Sequence, residues 1–338
     1  MAKQFKDLKV STMTVVTYCN VHFNLRTVFE NLPILEKVDV PLTKKKKQPD
    51  LKKLVVPLGS IVSLRIGNEF RGIQTKVKKA PRKEGSSYFL NQVTAIVSVG
   101  DKNLNTMIFN NKMKIVGNKN TRQAMQAVFI LWKRIEKIPN SYSMIDEHPP
   151  RFVFDTVMTN VDFKLGFKID RKKLNNLMNN DTNTDMIHLS RFETTENTNV
   201  NIKMMSTRPE GFKYVCIELA PNSKPKTLRF EDNPYMDKKS AAKKKAKYTT
   251  FLVFRSSKVI ESGRYTECMR DSYDYFIDLV MRNREMIEEK ITDNTEKYIH
   301  TTSDGPIKIR KEILDMLKPA DKDKVRAAVH KNHTLEKK

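Results

Sequence analysis

The chain writes one short phrase twice. Ile108 to Gly117 reads IFNNKMKIVG, and Val253 to Gly263 reads VFRSSKVIESG. Each copy closes an apolar run on a phenylalanine, Phe109 or Phe254, crosses a polar turn and resumes with alternating apolar residues. That is the pattern of two strands joined by a hairpin. An amphipathic helix follows each. In TRQAMQAVFILWKRIEKI, residues Ala124, Val128, Leu131, Ile135 and Ile138 recur at the spacing of one helical face. In TECMRDSYDYFIDLVMRNREM, Met269, Tyr273, Phe276 and Val280 do the same. Gly117 and Gly263 fall between strand and helix, where the chain turns tightly. Thr121 and Thr266 are expected as N-caps, and Trp132 is expected in the core. Any fold for this chain must build the strand–turn–strand–helix unit twice.

The repeat extends upstream. YCNVHFNL (Tyr18 to Leu25) and MTNVDFKL (Met158 to Leu165) share Asn-Val-x-Phe-x-Leu and follow strand-like runs rich in Val, Thr and Phe. QVTAIVSV (Gln92 to Val99) and FKYVCIEL (Phe212 to Leu219) are expected to be matching inner strands. Each half then reads as strand, helix, insertion, antiparallel strands, helix. The expected class is α+β, with two tandem repeats related by a pseudo-two-fold. Residues 1–140 form the first repeat, with a basic insertion at about 42–85. Residues 150–290 form the second, with a basic insertion at about 221–247, and 291–338 is a basic C-terminal tail holding one helix-like piece, IRKEILDML.

Charge narrows the partners. Lys+Arg total 63 against 39 Asp+Glu, a formal net charge of +24, and a field of that sign favours polyanions, nucleic acid first. The lysines concentrate in TKKKKQPDLKK, KVKKAPRK and KKSAAKKKAK, each read as a solvated loop. No apolar run reaches the length that spans a bilayer, and MAKQFKDLKV lacks the apolar centre of a signal peptide. Cys19, Cys216 and Cys268 stand apart, which fits a reducing intracellular setting. The scattered histidines offer no zinc-ligand spacing. No enzymatic activity and no cofactor are expected: the nearest carboxylates, Glu285, Glu288 and Glu289, read as one solvated helical edge.

The string IF-x-S-G-K-x-V-x-T-G, once per half and followed by a helix, marks the TATA-box-binding protein family, and both phrases resemble it. VFRSSKVIESG has Ser257 for the glycine and Ser262 for the threonine. IFNNKMKIVG is one residue shorter and has Val116 at the threonine position. VSTMTVVTYCNVHFNLRTVFENL is similar to the family's first strand and helix. The long insertions and the Lys/Asn-rich composition look most like divergent versions carried by large double-stranded DNA viruses. The resemblance implies a saddle: a curved antiparallel sheet whose concave face lies on the DNA minor groove, with helices on the convex side.

It also implies roles. Phe109 and Phe254 match the aromatic wedge that ends the fourth strand of each repeat. A second wedge precedes the third strand; it matches Phe212 in the second half and falls on Val93 in the first, with Phe89 a few residues away. Lys114 and Val116, then Ile260 and Ser262, match groove-lining positions of the fifth strands. The family's base-reading asparagines fall on Thr12 and Phe152, so neither copy keeps one. The implied partners are A·T-rich promoter DNA, a factor-B-like transcription factor and RNA polymerase, in a host nucleus, a viral factory or a virion. The alternative reading is a sequence-blind DNA-packaging or adaptor protein on the same fold.

Overall fold

A computed structural model describes residues 4–35, 56–73, 89–180, 186–192, 198–206, 208–237 and 247–289. The Lys-rich runs at 43–53, 76–83 and 238–246 and the tail from residue 290, with its IRKEILDML segment, lie outside the described residues.

In chain order, β1 (Val10–Cys19) and β2 (Val21–Phe23) lead into helix α1 (Leu25–Asn31). A hairpin of β3 (Ile61–Ile66) and β4 (Glu69–Gly72) precedes β5 (Val93–Val99), β6 (Lys102–Phe109), β7 (Lys112–Asn118) and α2 (Thr121–Ile135). β8 (Tyr142–Met144) pairs with β2. Then come β9 (Arg151–Lys164), α3 (Arg171–Met178), β10 (Ile187–Arg191), β11 (Asn199–Ser206), β12 (Tyr214–Glu218) and β13 (Lys226–Phe230). β14 (Lys247–Phe254), β15 (Lys258–Gly263), α4 (Thr266–Arg282) and a single turn, α5 (Arg284–Ile287), complete the described chain.

Among the described residues thirteen strands join in one sheet, ordered β10-β11-β14-β15-β9-β1-β7-β6-β5-β3-β4, with β12 beside the start of β9 and β13 beside β12. Its strands pair antiparallel throughout, among the described residues. Outward from the central β1–β9 pair, β7, β6, β5 and β3 lie on one side, and β15, β14, β11 and β10 on the other. Helices start at corresponding places: α1 after β1–β2 is capped by Asn24, which accepts from Thr27 N at 3.2 Å, and α3 after β9 by Asp170, which accepts from Lys172 N and Lys173 N at 3.1 Å.

These correspondences correct the expected alignment. The helices begin at Leu25 and Arg171, 146 residues apart, and Lys112 and Lys258 open β7 and β15 at the same offset. The Asn-Val-x-Phe-x-Leu copies at Tyr18 and Met158 are 140 apart, so that motif match is six residues out of register. In the corrected register, Thr12 corresponds to Met158 and Thr14 to Asn160. In the sheet Met13 pairs with Thr159, flanked by Thr12↔Asn160 and Thr14↔Met158, so corresponding residues exchange partners across the central pair.

Three further expectations change. Segment 56–73, inside the supposed first insertion, holds β3, whose Ile61, Val62 and Leu64 are buried and which pairs with β5. The inner strand of the second half is β11, not FKYVCIEL: β11 pairs with β14 as β5 pairs with β6, whereas β12 forms an added hairpin with β13. The N-caps are Asn120 (accepting from Gln123 N at 2.9 Å) and Tyr265, one residue before Thr121 and Thr266.

Among the described residues, the helices pack their buried faces on one side of the sheet. α2 places Ala124, Val128, Leu131, Trp132 and Ile135 against Val15, Val93, Ala95, Ile108, Met113 and Ile115. α4 sets Phe276 on Phe251, ring centroids 4.5 Å apart, and Met269 and Tyr273 beside Val161. Each fully buried aliphatic or aromatic side chain contributes roughly 1.5–3 kcal/mol, so the alternation of the strands is pinned by this face. Trp132 is 1% exposed, edge-on to Phe23 and Tyr142.

Candidate nucleic-acid interface

Because strand side chains alternate, the residues not committed to the helices form a second, open face. On β6 the core takes Leu104, Thr106 and Ile108, leaving Asn105, Met107 and Phe109 partly exposed on the other side. On β14 the core takes Thr249, Phe251 and Val253, leaving Tyr248, Thr250, Leu252 and Phe254. Phe109 and Phe254 thus end corresponding strands on the face away from the helices. Lys112 Nζ lies 5.7 Å from the Phe109 ring centre and 6.0 Å from that of Tyr18.

The register writes out two corresponding rows. In the first half Val16, Lys114, Met107, Thr94 and Arg65 lie side by side across β1, β7, β6, β5 and β3. In the second, Asp162, Ile260, Leu252, Asn201 and Arg191 lie across β9, β15, β14, β11 and β10. Adjacent rows run Thr14–Val116–Asn105–Ile96–Ser63 and Asn160–Ser262–Thr250–Lys203–Leu189. Lys114, Val116, Ile260 and Ser262, all partly exposed, are therefore brought together with the two phenylalanines on one face, and Thr12 joins them at the centre, paired with Asn160.

Two expected wedges are not there. Val93 is 0% exposed and sits opposite Ile108, so its side chain enters the core beneath α2; the open-face residue of that stretch is Thr94. Gln92 reaches Thr94 Oγ1 with its amide at 3.3 Å, on the open side. Phe212 precedes the added β12 rather than the inner strand, and packs its ring 5.1 Å from both Tyr214 and Tyr265 with Arg208 over it. In its expected place stands Asn199, across from Phe254. Phe89, by contrast, is 72% exposed in the loop entering β5. Phe152 is buried in the α2 cluster, so it cannot occupy a base-reading position; Met158 corresponds to Thr12.

Several open-face residues escaped the sequence reading. Arg65 and Arg191 hold corresponding places at the outer ends of the two long rows, with Arg65 5.1 Å from the Phe70 ring centre. Asn160, beside the centre, accepts from Ser262 Oγ at 2.8 Å. His188 stacks on Tyr248 at 4.4 Å, with Lys203 Nζ 5.8 Å from the same ring. Cations on this face include Lys112, Lys114, Lys203, Lys258, Arg65 and Arg191. Lys258 bridges Asp162 at 3.3 Å, an exposed pair of small energetic weight.

Beside the centre lies a buried ion pair. Arg264, 4% exposed, donates to Asp155, 0% exposed, at 2.5 Å, and to Tyr214 OH at 3.3 Å. Burial works against the Arg264 charge, but the Asp155 carboxylate outweighs it and the guanidinium is held above its ordinary value. The pair fastens the segment after β15 to β9 and to the added hairpin. Among the described residues no group of three His, Cys, Asp or Glu could hold a metal ion, and no helix is long and apolar enough to cross a membrane.

No protein-family model matches the chain, and no curated protein matches it. Among solved structures the chain is similar to the Methanococcus jannaschii TBP, at 11% identity over 82% of this chain and 98% of that one, with a TM-score of 0.41. It is also similar, more weakly, to the di-domain ARO/CYC StfQ from the steffimycin biosynthetic pathway, at 6% identity, 58% and 73% coverage and a TM-score of 0.15. Likenesses at these levels carry no functional argument.

Proposed function

We propose that this chain is a non-enzymatic DNA-binding protein of the TATA-box-binding-protein type, which seats its open sheet face in the minor groove and bends the duplex. In this reading the two halves are pseudo-two-fold repeats, the Met13–Thr159 pair marks their axis, and the sheet is a saddle with its helices on the convex side. The observation that carries the reading is the matched placement of Phe109 and Phe254, one ending each corresponding strand, off the core and on the face opposite the helices. The minor groove offers few hydrogen-bond distinctions, so its width and deformability are what a protein reads there. Apolar side chains pushed between base steps cost a few kcal/mol per step, offset by the extra surface that the bent duplex covers. Met107, Val116, Leu252 and Ile260 supply the apolar floor, and the Lys and Arg side chains around it draw in phosphates.

The reading extends to promoter recognition with a factor-B-like protein and RNA polymerase, inside a cell or viral factory. A second reading, sequence-blind packaging, draws support from the amides Gln92 and Asn199 where a second pair of wedges would stand. Selection of bound sequences from a random duplex pool separates the two. An enriched A·T-rich element supports promoter recognition; a pool that stays random after successive rounds contradicts it.

A further inference from the structure

The opposite side of the molecule carries a second feature that DNA binding leaves unused. Between α2 and the added β12–β13 hairpin lies an open cleft of about 400 Å³, lined almost wholly by apolar groups. One wall is the α2 stripe of Met125 and Phe129; the floor is Phe154; the far wall is Leu219 and Pro225 of the segment joining β12 to β13, with Leu58 at one end. Two of these side chains remain open to solvent in a way a core does not permit: Phe129 is 41% and Leu58 73% exposed. An exposed apolar patch around a cleft of this size marks a contact site.

The charges beside it say what kind. Arg122 lines the cleft at the start of α2, and Lys133 sets its ammonium 5.8 Å from the Phe129 ring centre near the helix end. The two residues are eleven apart, about 16 Å along the helix axis at 1.5 Å rise per residue. Lys133 holds only a partly exposed pair with Glu136 at 3.1 Å, which a partner carboxylate can replace at little cost. An apolar lining that includes Arg122, with Lys133 outside it but beside the Phe129 ring, is complementary to a short segment with apolar anchors and flanking acidic groups.

We propose that this cleft docks an acidic, amphipathic segment of a partner protein, and that it does so while DNA occupies the open sheet face. The test is fluorescence anisotropy with the full chain and a labelled peptide of about 14 residues, long enough to span the cleft as a helix, carrying a Leu/Phe centre flanked by glutamates. Binding in the micromolar range is expected, unchanged by saturating duplex. Phe129→Glu and Leu58→Glu, both at exposed positions, should each weaken it at least tenfold, and so should Arg122→Glu with Lys133→Glu; a matched lysine-flanked peptide should not bind the native chain. Displacement of the peptide by duplex would place it on the sheet face and overturn the proposal. So would equal binding of an uncharged Leu/Phe peptide, which makes the cleft a plain apolar site. A dimer of the chain that Phe129→Glu dissociates, seen by sedimentation, would assign the cleft to a second copy instead.

Discussion

Asn199 lies directly across from Phe254 in the β11–β14 ladder. The phenylalanine therefore has an amide, not a second ring, as its cross-strand neighbour on the open face. A single ring can enter a base step, but a pair holds the opened step more firmly. Asn199→Phe should tighten duplex binding on the order of tenfold, the scale of one added base–aromatic stack, and increase the bend at that end. Titration with an end-labelled duplex checks both.

The Asp155–Arg264 pair gives a stability prediction. Asp155→Asn leaves a buried guanidinium without its counter-charge, which costs about 3–5 kcal/mol. The urea midpoint should fall with an unchanged slope. Arg264→Met combined with Asp155→Leu should recover much of that loss, because neither charge is then stranded.

Glu261 gives a pH prediction. It is 0% exposed on the helix face of β15, and burial, then the charge of Asp274, pushes its carboxyl from 4.5 up to about 9. Between those values the folded chain holds a proton that the unfolded chain releases, so this group's contribution falls as pH rises, by about 1.4 kcal/mol per unit. It is fully favourable below pH 4.5 and fully lost above about 9. Glu261→Gln should flatten the stability curve across that window, and the difference between the two curves isolates the residue.

Ser257 closes the three-residue turn between β14 and β15 with φ of +69°. That left-handed conformation suits glycine, which is what the family phrase carries there. Ser257→Gly should stabilise the fold by about 0.5–1 kcal/mol, read as a rise in melting temperature. An unchanged or lower melting temperature contradicts the strain argument.

What could be read from sequence followed from short range. The likeness of the two phrases to the TATA-box-binding protein family singles out Phe109 and Phe254, and two-residue alternation beside a tight turn is the physical reason they lie off the core. Helices α2 and α4 showed themselves through Ala124, Val128 and Leu131 or Met269, Tyr273 and Phe276, whose spacing no strand reproduces. Register across distant strands was not readable. NVNIKMMS and FKYVCIEL alternate about equally well, and only hydrogen bonding decides that β11 pairs with β14. Val93 shows the cost: a one-residue shift turns a groove position into core. β3 was hidden between two Lys-rich runs that made its whole neighbourhood look like insertion. The match of Tyr18 with Met158 rests on the shared Asn-Val-x-Phe-x-Leu alone, a local identity that strand pairing does not follow. Arg65 and Arg191 carry no local motif at all; their correspondence lies in the strand pairings of the two halves of the sheet.

The account stands most directly on whether Phe109 and Phe254 open base steps. Energy transfer between dyes at the two ends of a short A·T-rich duplex reads the bend when the chain binds. The native chain should shorten the end-to-end distance, and Phe109→Ala with Phe254→Ala should abolish most of that shortening while leaving the salt-dependent part of the affinity and the circular dichroism intact. A double variant that bends the duplex as fully as the native chain would contradict the account.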